Sequence, residues 1–500
     1  MVATTAVTAA LILLAGCGGD KKSDSGSNNN SGDKSSSSAS PTAPSIPTFD
    51  PPKAFAVSAA YPVLKDPNEL TVVEHADVAL VGHVAVASNK KVLNGHDVTD
   101  PNKSWSLQAT PATTTTVNAV LPPRAVKLDG KDAAVVIYSE TDKGNGTQKP
   151  QGLVVIRWVD VATGEAIAET KTKTLDDKGG AGGAVYDIET GQVALGINGP
   201  PDSNGTTTST LYADPATKKT AIVPGLDPAA VHNGTIAGAT WPSSYRANDS
   251  MLALADGPSG KITKKLGHPQ TSYDKIAGTG KHGYFYGKTY VTAKDKWDLG
   301  IYSVDLSTGA VAVTPLPPSN SSTDIAAWSC LWDEASTIAC TGKTTYTTNG
   351  TDTMLGFDDS TGKKAWGFSN DSGNRNVPDL TAAYHGVLYA QTEAQNILLD
   401  AKTGADLPSP TPSGSSSSSD SPSAGSTPSD GSSPTAGDTP SDGSTPGTNP
   451  NSNLALFDGK LKAPTSVSPY GAVYSQGDPH NDYDTSNDLD SVCVFMKATA

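Results

Sequence analysis

The chain has 500 residues and a formal net charge of −15, because its 51 Asp and Glu residues outnumber its 36 Lys and Arg residues. This charge, and the lack of a basic stripe, argue against nucleic-acid binding, which needs clustered Lys and Arg. The 49 Gly and 36 Pro residues, together with the lack of a sustained helical repeat of apolar residues beyond the N-terminus, favour an all-β protein with many turns.

The chain opens with an apolar stretch, residues 2–16, that is too short to span a bilayer. It runs into the quartet LAGC, which ends at Cys17 and resembles the bacterial lipobox, where small residues precede an acylated cysteine. We therefore predict that residues 1–17 are a lipoprotein signal peptide and lipobox. Lipid on Cys17, including palmitate, would hold the protein on the extracytoplasmic face of the cell membrane. An ordinary cleaved secretory signal is the alternative.

Two segments have the composition of disordered linkers. Residues 18–52 are rich in Ser, Asn, Gly and Pro, and we expect a disordered tether there. Residues 407–452 repeat the sequence TPSDG among runs of Ser and Pro, and we expect a disordered insertion. The predicted folded parts are then residues 53–406, which form most of a β-propeller, and residues 453–500, which form its last blade.

A turn motif recurs through the folded part. Asp-x-x-Thr-Gly suits a tight reversal, because Asp accepts hydrogen bonds from backbone N–H groups two residues on and Gly takes the positive φ that ends the turn. Alternating apolar strands precede most copies. The full copies begin at Asp160, Asp187, Asp305, Asp358 and Asp400, and degenerate copies begin at Asp214 and Asp256.

A second series of turns interleaves with the first, and each of its turns is followed by a strand. Eight such inner turns, at about 50 residues per repeat, indicate eight blades of four short strands each. We therefore predict an all-β, eight-bladed β-propeller of four-stranded antiparallel blades, with seven blades as the alternative. The predicted inner turns are centred on Gly82, Gly130, Gly191, Gly234, Gly283, Ala335, Gly386 and Gly471.

The two ends of the folded part complement each other. The last repeat, from about Ser466, lacks a clear fourth strand, whereas residues 53–64 read as a strand without a partner. We predict that this first strand completes the last blade and closes the ring, since closure removes two exposed sheet edges.

The cysteines other than Cys17 divide into a pair and a single residue. Cys330 and Cys340 flank an acidic turn, and a turn centred on Ala335 would place them opposite each other at a spacing that a disulfide can bridge. An exported location would allow this disulfide to form. Cys493 is left over, most simply as a small buried apolar residue.

The clearest repeat, from Asp358 to Trp366, has the form strand, Asp-x-x-Thr-Gly-Lys, strand with Trp. In this element the chain resembles the pyrroloquinoline-quinone-like, or quinoprotein-like, propeller family over roughly residues 60–500. With the lipobox and a composition rich in Ala, Thr, Ser and Gly, it resembles an actinobacterial cell-surface lipoprotein. Such a fold hosts many unrelated functions.

The enzymes of that family show a vicinal disulfide, a tryptophan floor, and a calcium ion held by Glu, Asn and Asp beside a catalytic Asp. No two cysteines are adjacent in this chain, and no matching acidic set aligns. The resemblance therefore implies a non-catalytic member, without a cofactor or metal. We predict a monomeric binding or scaffold module for an envelope protein or a small ligand. The alternative is a quinoprotein-type oxidoreductase, or a hydrolase that uses residues at the channel mouth.

Three other features could suggest sites. His232, His282 and His385 occupy equivalent inner turns, but equivalent turns are spread around a ring, beyond the roughly 2 Å that zinc requires of each imidazole. The acidic run at residues 482–490 is interpreted as a solvated loop, since it departs from the EF-hand pattern of calcium loops. Tryptophans such as Trp105 and Trp366 are expected to pack between blades instead of forming a sugar platform.

Overall fold

Short strands and tight turns make up all of the chain that the computed structural model describes. That part contains 31 strands and no helix, so it contains no helix that could cross a bilayer. The described residues are 46–62, 78–88, 92–100, 102–108, 115–144, 146–174, 180–202, 205–243, 247–319, 326–343, 351–371, 375–392, 394–408, 463–476 and 492–500.

The strands form eight antiparallel sheets, which we number as blades 1 to 8, and the prediction of an eight-bladed propeller is confirmed. Blade 1 contains β2 (Val78–Val81), β3 (Val84–Ser88), β4 (Val92–Asp97) and β5 (Ser104–Gln108). Blade 2 contains β6 (Thr115–Leu128), β7 (Lys131–Asp142), β8 (Gln151–Asp160) and β9 (Ala166–Lys173). Blade 3 contains β10 (Ala181–Tyr186), β11 (Val193–Asp202), β12 (Gly205–Asp214) and β13 (Lys219–Pro224). Blade 4 contains β14 (Leu226–His232), β15 (Thr235–Thr240), β16 (Ser250–Asp256) and β17 (Lys261–Gln270).

The second half of the ring continues in the same way. Blade 5 contains β18 (Ser272–Gly278), β19 (His282–Val291), β20 (Lys296–Asp305) and β21 (Val311–Ser319). Blade 6 contains β22 (Ala327–Trp332), β23 (Thr337–Lys343), β24 (Thr353–Asp358) and β25 (Lys363–Ser369). Blade 7 contains β26 (Asp379–Tyr384), β27 (Val387–Gln391) and β28 (Asn396–Asp400). Blade 8 contains β29 (Ser466–Ser468), β30 (Gly471–Gln476), β31 (Val492–Ala498) and the first strand of the chain, β1 (Phe55–Pro62).

Pairing between β1 and β31 closes the ring, as the sequence predicts. Phe55 lies opposite Ala498, and the register runs from this pair to Pro62 opposite Val492. The first strands of neighbouring blades, which we call the inner strands, contact each other in order around the ring, and β29 of blade 8 contacts β2 of blade 1. The ends of the chain's folded part therefore share one sheet.

The core is divided among the interfaces between blades. Eight clusters of buried apolar residues are present, and each joins two neighbouring sheets. Between blades 2 and 3, for example, Ile156 and Trp158 pack with Leu195 and Leu211. The alternating apolar strands therefore bury both faces of most blades, which accounts for the ring arrangement.

The Asp-x-x-Thr-Gly motif forms the turn between the third and fourth strands, which we call the outer turn. In blade 6 the Asp358 Oδ1 atom accepts hydrogen bonds from the backbone N–H of Ser360 (2.8 Å) and from its hydroxyl (2.7 Å). The Gly362 N–H donates to the Asp358 carbonyl at 2.8 Å, with Gly362 at φ +66°. The copy at Asp187 is the exception, because it forms the turn between β10 and β11, as the interleaved series predicts.

Three inner turns, between first and second strands, are two-residue hairpins with positive φ at both central positions. They are Asp129-Gly130, Asn233-Gly234 and His385-Gly386. Positive φ at both positions is typical of type I′ turns, whose twist matches that of the strands.

The predicted inner turn at Gly283 is wrong by a few residues. The turn lies at residues 279–281. Gly283 lies inside β19, where it pairs with Gly278 of β18. A Cβ atom on Gly283 would lie 3.1 Å from the Cβ of Ala237 on blade 4, so this glycine serves close packing between blades. Similarly, Gly471 begins β30, one residue after its turn.

Blade 7 differs from the prediction of four strands per blade within the described residues. A fourth strand begins where Leu399 bridges Asp406 and the Leu407 N–H donates to the Leu398 carbonyl. Pro408 follows, and proline cannot donate to a ladder. The predicted signal peptide at residues 1–17 and most of the predicted insertion lie outside the described residues.

The described end of the predicted tether contacts blades 7 and 8. The Phe49 N–H donates to the Pro469 carbonyl at 2.9 Å, and the Tyr389 hydroxyl donates to the Pro52 carbonyl at 2.5 Å. The Asp50 carboxylate lies 2.5 Å from the His385 Nδ1 atom. Residues 49–52 thus meet the propeller on the side of its inner turns.

Candidate functional site: the central channel

Five of the eight inner strands bulge within the described residues. The register shifts lie between Leu121 and Arg124, Ala181 and Ala184, Pro228 and Ala230, Lys275 and Ala277, and Leu380 and Ala382. A bulge inserts residues that the neighbouring strand does not match, and it redirects side chains. The local sequence supports this, because Pro122-Pro123, Gly182-Gly183 and Pro228 interrupt regular pairing.

The inner strands surround a cavity of about 430 Å³. All eight blades contribute to its lining, and most contribute small side chains, which leaves the centre of the ring open. The small residues of the wall are Ala79, Ala125, Ala184, Ala229, Ala277, Ala382, Ala383, Thr381, Thr465 and Ser466. A volume of this size is typical of small-molecule sites.

One cation of the wall, Lys275 on β18, is paired. Its Nζ atom donates to the Asp227 carboxylate and to the Gly183 carbonyl, each at 3.0 Å. These contacts cross from blade 5 to blades 4 and 3. Asp227 therefore neutralises Lys275, and the ammonium retains one unused donor.

The second cation, Arg124 on β6, has no partner. Its side chain is solvent-accessible and lines the cavity, and it forms no hydrogen bond or ion pair within the part of the chain that the structure describes. Nearby, burial raises the pKa of Tyr186 to about 12, and the charge of Arg124 opposes this shift. Tyr186 therefore remains a neutral phenol beside a free guanidinium at physiological pH.

A carboxyl group, that of Glu334, also lines the cavity, from the turn that follows β22. Its backbone has φ +58°, a conformation that L-residues rarely adopt. The side chain is open to solvent in the channel, yet the surrounding protein removes enough water to raise its pKa. The Asp333 charge adds to this shift, whereas the charges of His385, Lys127 and Arg124 oppose it.

The prediction that His232, His282 and His385 occupy equivalent inner-turn positions is wrong, because His232 ends β14, His282 begins β19 and only His385 lies in the turn itself. The three histidines also do not share a site. Each lies beside a carboxylate from another part of the fold: His232 Nδ1 is 3.1 Å from Asp187, His282 Nδ1 is 3.5 Å from Asp359, and His385 contacts Asp50. Among the described residues no group of three His, Cys, Asp or Glu side chains could hold a metal ion. The histidines join adjacent elements at the inner turns.

Cys330 and Cys340 lie opposite each other on β22 and β23 and are joined by a disulfide. Cys330 is part of the cavity wall, and Cys340 is buried in the core between blades 5 and 6. The disulfide therefore ties an inner strand of the channel to the strand behind it. Cys493 lies on β31.

Trp105 and Trp366 pack between blades. Trp105 on β5 donates its Nε1–H to the Val161 carbonyl of blade 2 at 2.7 Å, and Trp366 on β25 donates to the Ala401 carbonyl of blade 7 at 2.8 Å. Each indole covers the glycine of the next blade's outer turn: a Cβ atom on Gly164 or on Gly404 would lie 2.6 Å from it.

Other predicted sites lie outside the described residues, namely Cys17 and the acidic run at residues 482–490. Conversely, sequence reasoning missed Arg124 and Lys275 as channel residues. The available signal was Pro122-Pro123 ahead of Arg124, because two prolines inside a strand predict a bulge.

No family model matches this chain, and no curated protein matches it. Several solved propellers are similar. The β-propeller domain of the trilobed protease from Pyrococcus furiosus is 11% identical, with a TM-score of 0.36, over 78% of this chain and 97% of that one. The Dos1 propeller is 9% identical, with a TM-score of 0.40, over 70% and 85%. A prolyl endopeptidase structure is 16% identical, with a TM-score of 0.37, over 67% of this chain and 48% of that one.

Proposed function

We propose that the chain is a lipid-anchored, extracytoplasmic binding module that takes a small polar ligand into its central cavity. The observation that carries this proposal is the cavity, because inner strands of all eight blades line it. Arg124 and Glu334 bring polar groups to it that form no side-chain hydrogen bond or ion pair among the described residues. A cavity of about 430 Å³ fits a small molecule better than a protein segment.

The lipid anchor rests on the sequence LAGC at residues 14–17. The repeated element from Asp358 to Trp366 supports a relation to quinoprotein-like propellers, and with the anchor it supports a cell-surface lipoprotein of the actinobacterial type. In this proposal the charged groups of the channel bind a ligand and do not catalyse a reaction. A protein partner in the envelope remains a prediction from the sequence.

Mass spectrometry of released compounds tests the ligand. The full chain is purified from its native membrane and unfolded in a volatile buffer, and the small molecules that it releases are identified. Ala184 lines the cavity, so Ala184→Phe places a phenyl ring in the space that a ligand would occupy. Ala162→Phe makes the same change on an exposed outer turn and serves as the control. We expect release from the wild type and from Ala162→Phe, and none from Ala184→Phe. Equal release from all three folded proteins contradicts the proposal.

Metabolic labelling tests the anchor. Cells that express the full chain receive a palmitate analogue, and membrane and soluble fractions are compared for the wild type and Cys17→Ser. We expect Cys17→Ser to lose both the label and the membrane association, because acyl chains supply the attachment. A variant that remains labelled in the membrane fraction contradicts acylation at Cys17.

A further inference from the structure

We propose that Arg124 anchors the ligand of the central cavity, and that this ligand is a small molecule with a carboxylate or a phosphate group. The inference rests on the proposed function, since it requires that the cavity take a ligand. It adds the chemical class of that ligand and the residue that selects it.

Arg124 differs from Lys275, the other cation of the cavity wall. Lys275 already donates to Asp227 and Gly183, whereas Arg124 has no partner among the described residues. A guanidinium offers five N–H donors in a fixed planar fork and stays charged at all relevant pH values. Carboxylates and phosphates accept two parallel hydrogen bonds from that fork, so they fit this unused set of donors.

The backbone, and not a side-chain partner, positions Arg124. Pro122 and Pro123 precede it at the bulge of β6, where the register shifts between Leu121 and Arg124. Proline fixes φ and removes a backbone donor, so this bulge is built into the sequence. The bulge therefore fixes the point of the cavity wall from which the Arg124 side chain extends.

The electrostatics of the cavity favour an anion over a cation. The chain as a whole is acidic, but the ionisable side chains that line the cavity are two cations, Arg124 and Lys275, and one carboxyl group, that of Glu334. Asp227 is neutralised by Lys275, Tyr186 holds its proton, and the raised pKa of Glu334 disfavours its charged form. Arg124 is then the cation of the cavity wall that no carboxylate pairs with among the described residues.

Calorimetric titration of the full chain tests the inference. The probes are succinate for the carboxylate class, inorganic phosphate for the phosphate class, and succinamide as an uncharged molecule of similar size. The variants are Arg124→Gln, Arg124→Lys, and Lys261→Gln as the control. Lys261 lies exposed on β17, outside the cavity, so its change removes one positive charge from the surface alone.

We expect the wild type to bind succinate or phosphate more tightly than succinamide, and the tighter anion identifies the class. Arg124→Gln should weaken binding of that anion about tenfold or more, because hydrogen bonds to a charged group are lost. Arg124→Lys should weaken it less, and Lys261→Gln should leave it unchanged. Melting curves establish that each variant is folded.

Three results overturn the inference. If Arg124→Gln binds the anion with wild-type affinity, Arg124 is not the anchor. If Lys261→Gln loses as much affinity as Arg124→Gln, the effect is only a general attraction between charges. Binding of neither anion by the wild type excludes the ligand class. In that case the release experiment shows whether the proposed function also fails. If unfolding releases small molecules from the wild type and none from Ala184→Phe, the cavity remains a binding site and only the role of Arg124 is excluded. If unfolded Ala184→Phe releases the same small molecules as the wild type, the proposed function is itself excluded, whatever the role of Arg124.

Discussion

The outer turns and the channel wall belong to the same blades, yet they follow opposite rules. The outer turns repeat one chemistry from blade to blade: an Asp accepts hydrogen bonds from the turn, a Gly with positive φ ends it, and an indole from the preceding blade covers it in two places. The channel wall repeats only its small side chains, and its charged residues differ at every position.

This difference separates stability from binding. A feature that recurs in most blades serves the assembly of blades, because each interface has the same need. A charged residue that occurs once in the ring, such as Arg124 or Glu334, answers no such need. The comparison predicts that changes at the outer turns lower stability with little effect on binding, and that a change at Arg124 lowers binding with little effect on stability.

The largest stability effect is expected for Trp366→Ala. The indole packs on the outer turn of blade 7 and donates to the Ala401 carbonyl, so its removal leaves both a cavity and an unpaired acceptor. We expect a loss of about 3 kcal/mol in the free energy of unfolding, measured by urea titration. Trp241, which is 55% exposed, is the control, and Trp241→Ala should cost less than about 0.5 kcal/mol. Equal losses would show that Trp366 does not hold the two blades together.

The next effect concerns the disulfide behind the channel wall. The double variant Cys330→Ala, Cys340→Ala removes a bond across a separation of 10 residues. Loss of this constraint on the unfolded chain should cost about 2 kcal/mol, measured by urea titration in non-reducing buffer. Adding a reductant should lower the free energy of unfolding of the wild type toward that of the variant, and it should leave the value of the variant unchanged. A variant as stable as the non-reduced wild type would contradict a structural role for the bond.

A smaller effect, of opposite sign, is expected at the mouth of the channel. Glu334→Gly replaces an L-residue at φ +58° and also removes a carboxyl whose pKa is raised by burial. We expect a gain of about 1 kcal/mol in thermal or urea unfolding at neutral pH. The matched control is Glu189→Gly in the inner turn of blade 3, where φ is not positive and the change should be neutral or destabilising. Similar shifts in both variants would mean that Glu334 is not strained.

The smallest effect tests the outer turn through its pH dependence. The pKa of Asp358 is held below its usual value, first by the Ser360 hydroxyl and then by the Ser360 N–H. A carboxyl whose pKa is lower in the folded state stabilises the fold above the unfolded pKa of about 4 and loses this effect as pH falls through the folded value.

At pH 7 the free energy of unfolding of the wild type should therefore exceed that of Asp358→Asn by less than about 1 kcal/mol, because the Asp358 carboxyl lies near the surface. This difference should shrink as the pH falls below 4. Urea titrations between pH 7 and pH 3 measure it. A difference that is constant over this range would mean that the hydrogen bonds of the turn do not depend on the charge of Asp358.

The number of blades was predictable because turn chemistry is local, and ring closure was predictable because the last repeat lacks a strand while the first strand lacks a partner. Asp-x-x-Thr-Gly and the pairs Asp129-Gly130 and Asn233-Gly234 need particular residues at particular φ values, so they are visible in one sequence. Gly283 was misassigned because a glycine required for close packing looks the same in sequence as one required for a turn.

The channel was not predictable from one sequence, since it is assembled from residues far apart in the chain. Arg124, Lys275 and Glu334 lie on inner strands or turns of blades 2, 5 and 6, and no local pattern brings them together. Only the ring places them around one cavity. The bulges on five inner strands contribute to its shape, and register shifts are poorly specified by local sequence.

The most direct test of this separation is a crossed comparison of two variants, in which urea stability and anion affinity are measured on the same protein samples. Arg124→Gln should lose affinity for succinate or phosphate while its unfolding midpoint stays that of the wild type. Trp366→Ala should unfold at a lower urea concentration while it keeps wild-type affinity in dilute buffer. If each variant loses both properties together, the turns and the channel are not separate in function, and the account is wrong.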